Sequence, residues 1–478
     1  MTDHFQALWR ETRPAFRDER TWRRARDLAL SALACLGRRT VSGLLCAQGQ
    51  QFRDWSAAYR LFEKERFDSM RLFDPVRKNL LDQLAQEAPV VAHLDDTHAR
   101  KWGKKVSGAA WRRDPLGPKF QTQFLWGQRF LQVSMALPEG ETPCASRAIP
   151  VDFVHAPSAP KLSKKASDKE KQEWREQKKE RCLSRVALDR IVRLRKQLDE
   201  EPAGKDKPLV LSFDGGYTNV SIFAHLPQRV TAIGRVRKDA RLHSPPPAAQ
   251  AGARGRKRVY GEPLPSPEQV RKNDARPWSQ IAAWGAGKIH SFRVKTLDAV
   301  RWKGAGANNQ RLLVIAPLAY RLSAKSAILY RQPAYVLCSD PQLPVEQILQ
   351  YYIWRGEIEV NFRDEKTLLG TGDAQMRTEK SSARAPAFIV AAYAHLLLAS
   401  HLTFGAHGAC PLPKPKWQRH APSRRCSTRQ MISTVRAELW GKALGLDVGN
   451  FEPFANRPPA NPNATKLKNS LAHAVVYA

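Results

Sequence analysis

Apolar residues recur at helical spacing from residue 1 to about residue 85. The segments RTWRRARDLALSALACLGRRT and FRDWSAAYRLFEKERF carry Leu, Ala, Trp and Phe at intervals of three and four, with arginines between them. This pattern predicts a helical domain with a basic outer face. A plain helical bundle and a DNA-gripping domain fit the spacing equally well.

Short apolar runs that end in acids follow the helical segment. APVVAHLDDT is a β-branched run that ends at Asp95 and Asp96, and KPLVLSFDGGYTN is a buried type of strand that ends at Asp214 and a glycine turn. Further strand-like pieces lie in FQTQFLWGQRFLQVSMAL. The charged run at 161–200 begins as a solvated segment or linker and becomes an amphipathic helix.

The pattern changes at SPPPAAQAGARGRKRVYGEPLPSP, where Pro, Gly and Arg replace the hydrophobic periodicity. Short strands return after it, so residues 240–334 are predicted to form a small β-rich inserted unit.

The apolar segment 387–404 has about the minimum length for a membrane span, but no second apolar segment accompanies it. We expect a buried core helix there, with Pro386 in its first turn. A basic, Pro-rich region follows from about residue 406.

The overall charge narrows the class of partner. A formal net charge of +34 and a pI near 10.2 favour a polyanion, because each phosphate neutralised by Lys or Arg releases condensed counterions. Nucleic acid is the first candidate, although a ribosome-associated protein would have the same balance. The seven cysteines form no C-x-x-C pair, which is typical of reduced cytosolic thiols and not of a zinc site. The first residues contain no apolar run of a signal peptide, so we expect a cytoplasmic protein.

The stretch YYIWRGEIEVNFRDEK holds the most specific pattern in the chain. Tyr352, Arg355, Glu359 and Lys366 are separated by two, three and six residues, and at about 100° per residue they share an arc of roughly 60° on a helix. These side chains make a poor core stripe, because each buried charge would need a partner. They suit the wall of a phosphodiester site, with Arg and Lys on phosphate. An exposed charged helix with an accidental register is the alternative.

The strand-end acids give this helix a possible partner. Two adjacent strand ends and a facing helix can bring three carboxylates together, and such a cluster is tolerated mainly when a divalent cation neutralises it. Oxygen ligands of this kind suit Mg²⁺ or Mn²⁺. Two such ions would activate a water or a 3′-hydroxyl and stabilise the leaving oxygen in phosphoryl transfer.

This combination of motifs resembles the DDE transposases of bacterial insertion sequences, in particular the group with the Tyr-Arg-Glu-Lys signature. The four signature spacings match without a gap, VLSFDGGYTN is similar to the segment with the second aspartate, and LDDT to the segment with the first. The resemblance spans about 90–405. It implies an α/β fold, with a ribonuclease-H-like mixed sheet flanked by helices, a β-rich insertion and a helical N-terminal domain.

The same resemblance suggests a division of the chain into five parts. Residues 1–85 would bind the DNA ends, 86–239 would form the first part of the catalytic core, and 240–334 would be the insertion. Residues 335–405 would complete the core with the Glu359 helix. Residues 406–478 would form the basic C-terminal region.

The resemblance also implies roles for individual residues. The catalytic set would be Asp95, Asp214 and Glu359, which would hold two Mg²⁺ ions, with Mn²⁺ able to substitute. Asp96 is the alternative first metal ligand, because an acid two residues before Thr97 fits the family pattern while Asp96 is adjacent to it. The predicted DNA-contacting residues are Tyr352, Arg355, Lys366, Arg237, Lys238 and Lys101.

Weaker candidates have ordinary structural explanations. His93 and His98 flank the first acids, but structural histidines or DNA contacts are the favoured interpretation. Trp302 could stack on an unpaired base, although a core tryptophan is the preferred interpretation. The cations Lys101, Arg237 and Lys238 could equally be solvated surface charge.

The function implied by the resemblance is transposition of DNA. The protein would bind the terminal inverted repeats of an insertion sequence, cleave the strands at each end and transfer them to a target. Its partners would be double-stranded DNA and a second copy of the chain in the DNA complex, in the bacterial nucleoid and without a membrane. The alternative is a domesticated transposase that binds DNA without catalysis, and a missing acid would be its sequence sign.

Overall fold

A computed structural model describes residues 1–478 except 115, 116, 119, 248–257, 324, 409–411, 413–424 and 442–473. Most of the predicted basic C-terminal region therefore lies outside the described residues. The helices are α1 (Thr2–Arg10), α2 (Glu19–Ala34), α3 (Val41–Ala47), α4 (Ser56–Glu63), α5 (Asp74–Asp82), α6 (Asp168–Glu180), α7 (Leu183–Glu200), α8 (Val220–Phe223), α9 (Pro267–Lys272), α10 (Val345–Trp354), α11 (Gly356–Thr367), α12 (Glu379–Phe404) and α13 (Thr428–Trp440). The strands are β1 (Val90–Arg100), β2 (Ala110–Arg113), β3 (Phe124–Pro138), β4 (Ser146–His155), β5 (Leu209–Phe213), β6 (Val230–Arg235), β7 (Leu242–His243), β8 (Pro263–Leu264), β9 (Ser279–Gly285), β10 (Lys288–Trp302), β11 (Asn309–Ile315), β12 (Ala319–Tyr320), β13 (Leu329–Tyr330) and β14 (Ala334–Cys338).

One large mixed sheet organises the molecule. Its strands follow the order β2-β3-β1-β5-β6-β14-β11-β10-β7-β8, with β4 beside β3 and β9 beside β10. The central strands β1, β5 and β6 are parallel, whereas β3 runs antiparallel to β1. A parallel neighbour needs a long crossover, and between β1 and β5 the chain passes through β2 to β4 and helices α6 and α7. This mixed sheet with flanking helices fits the expected ribonuclease-H-like fold.

Alternation along the central strands gives the sheet two buried faces. Val91, Val210 and Ile233 pack with Ile348 and Leu349 of α10 on one face. The intervening residues, such as Leu94 and Phe213, join the larger core on the opposite face. Because both faces are covered, polar side chains at the carboxyl ends of these strands lie at the rim of a packed core.

The segment between β6 and α10 is rich in strands, as its sequence predicts, but these strands extend the central sheet. Strand β14 pairs with β6, β11 pairs with β14, and β10 pairs with β11, all antiparallel. Only β12 and β13 form a separate two-stranded sheet among the described residues. The strands of this segment are therefore hydrogen-bonded to the central parallel strands through β14.

A side chain of α10 fastens that helix to the inserted strands. The amide of Gln350 accepts a hydrogen bond from the backbone N–H of Trp284 at 2.8 Å and donates one to its carbonyl at 3.1 Å. Trp284 lies on β9, and Gln350 is 2% exposed. A buried amide that satisfies both backbone groups of one residue fixes the helix relative to the strand.

The N-terminal helices form as predicted, and they pack around α12. Phe5 and Trp9 of α1 contact the ring of His395, and Trp9 also meets Phe388 edge to face at 5.7 Å. Phe5, Trp9 and Phe388 belong to the same buried cluster as the sheet residues. The helices at 1–85 thus share the core of the sheet and have no separate one.

Helix α12 is long and apolar enough to cross a membrane by length and composition, but 78% of its apolar window is buried inside the protein. This burial fits the prediction of a core helix. The predicted start of the helix is wrong, because α12 begins at Glu379 and Pro386 lies inside it. Proline has no N–H to bond the carbonyl four residues earlier, at Ser382. The side-chain amide of Gln128 donates to that carbonyl at 3.3 Å and so replaces the missing donor.

Buried polar groups lie between α11 and the sheet. Asn361 and Gln132 both donate to the hydroxyl of Ser134, at 3.2 and 3.1 Å. Glu365 is 1% exposed, and its Oε1 atom is buried without a hydrogen-bond partner. Burial raises the pKa of the Glu365 carboxyl to about 8, because ionisation away from water is costly. At neutral pH this side chain is therefore mainly a neutral acid on the buried face of α11, the helix that also carries Glu359.

This raised pKa predicts a pH-dependent stability. An unfolded glutamate ionises near pH 4.5, so between 4.5 and 8 the folded protein holds a proton that the unfolded chain has lost. The free energy of unfolding should fall as pH rises through that range, by up to about 1.4 kcal/mol per pH unit from this group. In Glu365→Gln, the midpoint of thermal denaturation should fall less between pH 5.5 and pH 8 than in the wild type. Glu346→Gln, an exposed acid on α10, is the control, and equal pH profiles for all three proteins would contradict the assignment.

Candidate active site

Two predicted acids lie side by side where the parallel pairing of β1 with β5 ends. Strand β1 does not end at these acids as the sequence predicts, because its pairing with β3 continues to Arg100. Strands β1 and β5 pair in register up to Leu94 opposite Phe213, so the next residues along the two strands are Asp95 and Asp214. Side chains alternate along a strand, and both acids therefore follow the face that α10 covers. Strand β6 ends on the same row with Arg235, one residue beyond Gly234, which is opposite Phe213. The strand pairing thus places acid, acid and arginine in one row.

The row rests on a buried histidine. His93 precedes Asp95 by two residues on the same face, is fully buried, and its Nδ1 lies 2.7 Å from the hydroxyl of Ser212. Burial lowers the pKa of His93 to about 3, with the Arg355 charge adding to the effect. The ring is neutral and packs beneath the acids, which agrees with the structural interpretation of this residue.

Arg355 joins the strand-end acids to the signature helix. Its guanidinium donates to Asp95 Oδ2 at 3.2 Å and to Glu359 Oε1 at 3.1 Å. The side chain of Arg355 is 18% exposed, whereas that of Glu359 is 63% exposed. A carboxylate from strand β1 and one from helix α11 thus lie on either side of a single cation.

Tyr352 completes this group. Burial raises the pKa of its phenol, the positive charges of Arg235 and Arg355 lower it, and Asp214 and Glu359 raise it. All four groups are therefore close enough to act electrostatically on the ring. Three of the four signature residues gather around the strand-end acids.

The two candidate first acids, Asp95 and Asp96, lie on opposite faces of β1 and have different partners. Asp96 accepts a hydrogen bond from the Tyr217 hydroxyl at 2.6 Å, and burial together with the Asp96 charge raises the pKa of that phenol. Asp95 has no such donor and faces Asp214 and Arg355 instead. Between the two, Asp95 is the acid that shares a face with Asp214.

Asp95 is under strong electrostatic stress. Burial raises the pKa of its carboxyl to about 7, the negative charge of Asp214 raises it further, and Arg355 and the Asp96 backbone N–H oppose the shift. One guanidinium therefore does not fully compensate the neighbouring acids. An uncompensated carboxylate pair at a strand end is the kind of site that a divalent cation stabilises.

The donor set fits Mg²⁺ or Mn²⁺. Asp95, Asp214 and Glu359 offer oxygen ligands only, which these hard cations prefer. Within the described residues, no group of three or more acidic, His or Cys side chains is already arranged around a single metal position. The guanidinium of Arg355 contacts both Asp95 and Glu359 and so lies between these two carboxylates.

Lys366 lies further along the signature helix. The stretch consists of two helices, since α10 ends at Trp354 and α11 begins at Gly356, with Arg355 at the junction. Lys366 is exposed in the last turn of α11, and its charged neighbours include Asp114 and Asp96. The fourth signature residue is therefore on the Asp96 side of the site.

The other acids of these helices have separate partners. Glu357 forms an ion pair with Arg425 at 2.7 Å, and Glu365 is buried as described above. Both lie away from the strand-end acids, as their rotation on the helix predicts.

Lys101 does not present its charge to a DNA-sized surface, contrary to the sequence-based expectation. It is 4% exposed, and its ammonium donates to the carbonyls of Gly372 and Ala374 at 3.0 and 2.8 Å. Burial lowers its pKa to about 8. This lysine holds the chain after α11 against the end of β1.

Arg237 and Lys238 are exposed beside the row of strand-end residues. Arg237 pairs with Asp239 at 3.0 Å. They line a cleft of about 820 Å³ next to the glycine turn after Asp214, whose lining includes Gly215, Arg235, Arg237, Lys238, Arg271 and Trp302. Trp302 is half-buried and meets Phe223 edge to face at 5.5 Å, so it both packs on the core and borders the cleft.

Two further residues, Arg235 and Tyr217, lie beside the acids and were not among the predicted site residues. Arg235 lies on the row of acids because β6 is in register with β5, and a basic residue ending a third strand was a usable signal. Tyr217 is hydrogen-bonded to Asp96 from the DGGY turn. This contact depends on how the turn after β5 is oriented toward β1, and the sequence offers no signal for that orientation.

Comparison with known families gives the wider relationship. A family model described as DDE superfamily endonuclease matches residues 12–308, more than half of the chain. The match contains Asp95, Asp96 and Asp214 and ends before the helices that carry the Tyr-Arg-Glu-Lys stretch. No curated protein matches the chain. With acids on adjacent strand ends and a family match of this breadth, the chain belongs to the DDE superfamily of endonucleases.

Proposed function

We propose that the protein is a DNA transposase of an insertion sequence, in the group with the Tyr-Arg-Glu-Lys signature. The observation that carries this proposal is the position of Arg355, which contacts Asp95 from strand β1 and Glu359 from helix α11. Asp214 lies next to Asp95 on the parallel strand. These contacts support a site to which Asp95, Asp214 and Glu359, far apart in the sequence, would each contribute a carboxylate.

Asp95, Asp214 and Glu359 would hold two divalent cations. When bound, such ions supply an activated water or 3′-hydroxyl and stabilise the leaving oxygen of a phosphodiester. The three carboxylates supply the ligand oxygens, and the buried strand ends hold two of them at a fixed separation. Asp96 would support the site from the opposite side, where Tyr217 orients it.

The signature cations would position the DNA strand. Arg355 can grip a phosphate with two N–H groups once it leaves the carboxylates, Lys366 adds a point charge, and Tyr352 borders the path. The cleft with Arg235, Arg237 and Lys238 continues a basic surface from Asp214. This arrangement suits a strand that passes across the sheet rim.

The N-terminal helices would bind the terminal repeats. The charges of Arg20, Arg66 and Arg60 all lower the pKa of Arg24, after the effect of burial, so four arginines converge on one region of these helices. Clustered arginines of this kind attract a phosphate backbone. A dimer on paired DNA ends and transfer of the cut strand to a target complete the proposed activity.

A DNA-binding protein without catalysis is the alternative function. It would need no acid cluster, whereas Asp95, Asp214 and Glu359 are all present. The acid cluster therefore favours the enzyme.

The proposed function predicts that DNA cleavage requires the carboxylate of Glu359. In the presence of Mg²⁺, the wild type should nick a DNA fragment that carries the flanking ends of its own gene. Glu359→Gln should lower the rate by at least about a hundredfold, since a metal-ligand oxygen is replaced by an amide. Glu346→Gln, also on the α10–α11 pair and exposed, should cleave like the wild type. Equal cleavage by both variants, or no nicking by any protein, would contradict the enzymatic proposal.

The proposed function also predicts that Arg355 and a divalent cation compete for the carboxylates of Asp95 and Glu359. Arg355→Ala removes the guanidinium that neutralises Asp95 and Glu359, so the variant should bind Mn²⁺ more tightly without DNA, by roughly three- to tenfold for a part-buried charge pair. Isothermal titration calorimetry measures this affinity directly.

The matched control for this experiment is Arg363→Ala, because Arg363 is an exposed arginine on the same helix that pairs with Asp364. Its Mn²⁺ affinity should equal that of the wild type. Unchanged or weaker Mn²⁺ binding by Arg355→Ala would show that the guanidinium does not occupy the cation position.

A further inference from the structure

Exposed aromatic rings form a patch at the edge of the sheet, away from the acids. Strands β2 and β3 pair so that Trp111 lies opposite Trp126 and Arg113 opposite Phe124. These four side chains share one face of the hairpin, because each pair is two residues from the next along its strand. We call this set the aromatic ladder.

The ladder is open to solvent to an unusual degree. Trp111 is 69% exposed and Phe124 62% exposed, although Trp111 meets Trp126 edge to face at 5.7 Å. The Trp126 indole N–H donates to the carbonyl of Gly103, which ties the preceding loop to the ladder. Large exposed rings that lie together mark a surface that binds a partner.

The surrounding charge selects the class of partner. Residues 100–126 contain seven Lys and Arg residues and one acid, Asp114, and Asp114 is paired with Arg100 at 2.9 Å. Arg113 on the ladder and the exposed Lys104 and Lys105 of the tied loop carry positive charge. Cations around exposed aromatic rings match a polyanion whose bases can stack, which is a nucleic acid with unpaired bases.

The ladder is connected to the candidate active site. The opposite face of β2 carries Arg112. Burial lowers the pKa of Arg112 to about 10, the charge of Arg129 adds to this effect, and the nearby charge of Asp96 opposes it. Trp126 lies just beyond the end of β1, about six residues past Asp95, or about 20 Å along the sheet. At about 3.4 Å per nucleotide, that distance corresponds to about six nucleotides.

We infer that the aromatic ladder stacks on unpaired bases of DNA about six nucleotides from the position of strand cleavage. Trp111 and Phe124 would take the bases, and Arg113 with the loop lysines would take the phosphates between them. In a closed duplex the base faces are covered by their neighbours, so the ladder would favour DNA that is locally opened. This inference rests on the proposed action on DNA and adds a preference for its unpaired state.

The test compares two DNAs without metal, so that no cleavage occurs. One is a labelled duplex of generic sequence, and the other is the same duplex with a central bubble of six unpaired positions; fluorescence anisotropy gives both affinities. The wild type should prefer the bubble. Trp111→Ala should lose about tenfold in affinity for the bubble, as expected for one stacked base, and change less than about twofold on the closed duplex.

Two further variants separate stacking from other effects. Trp111→Phe keeps an aromatic ring and should retain most of the bubble preference. Tyr330→Ala removes an exposed ring, 67% accessible, from the separate β12–β13 sheet and should bind both DNAs like the wild type. Thermal denaturation of each variant confirms that it is folded.

Three results would overturn the inference. Equal affinity of the wild type for both DNAs would remove the preference itself. An equal loss on both DNAs in Trp111→Ala would indicate a general charge or folding effect. A change of sedimentation coefficient in Trp111→Ala without DNA would assign the ladder to contact between copies of the chain. Each of these results leaves the Mg²⁺ cleavage assay with Glu359→Gln unaffected, so the two proposals fail separately.

Discussion

The parallel pairing of β1 with β5 is the constraint on which the site depends. Hydrogen bonds between the two strands fix Leu94 opposite Phe213, and the next residue on each strand is an aspartate. A slip of one residue would turn one of these acids to the opposite face. The buried apolar residues before them make such a slip costly, because Val91 and Val210 would leave the core under α10. The core of the sheet therefore sets the distance between two acids that repel each other.

That repulsion is only partly relieved within the protein. Arg355 contacts two carboxylates at once, yet the pKa of Asp95 remains raised to about 7 because burial and Asp214 both act against ionisation. Asp95 and Asp214 are held by the sheet. Glu359 lies on helix α11, is more exposed, and is linked to Asp95 through Arg355. The negative charge at such a site favours a nearby positive charge, and Arg355 supplies one. The DNA phosphates would then have the opposite effect, since they draw the arginine away.

The sequence allowed the acids to be predicted, but it did not reveal their neighbours. Asp95 and Asp214 end apolar runs, and Glu359 has the right spacing on a helix, so local patterns were sufficient to select these residues as candidates. Arg355 was expected to contact DNA. It contacts Asp95 across a sequence separation of 260 residues, which no local pattern reports. Lys101 resembles a solvated lysine after a strand, and only the return of the chain at Gly372 buries it. Pro386 indicated a helix start because a proline inside a helix leaves the carbonyl four residues earlier without its usual N–H donor. Gln128, on the distant strand β3, supplies the replacement donor, and no local pattern indicates it.

The shared sheet has a consequence for how the inserted segment can change over evolutionary time. Strand β14 pairs with β6 and then leads into α10, and Gln350 of α10 is hydrogen-bonded to the backbone of Trp284. The segment therefore serves as a scaffold for α10, which leads through Arg355 into the helix α11 that carries Glu359. Removing it as a cassette would leave one edge of β6 unpaired and α10 without its anchor. Insertions and deletions would thus be tolerated at its hairpin tips, while its strands would be inherited together with the helix that they support.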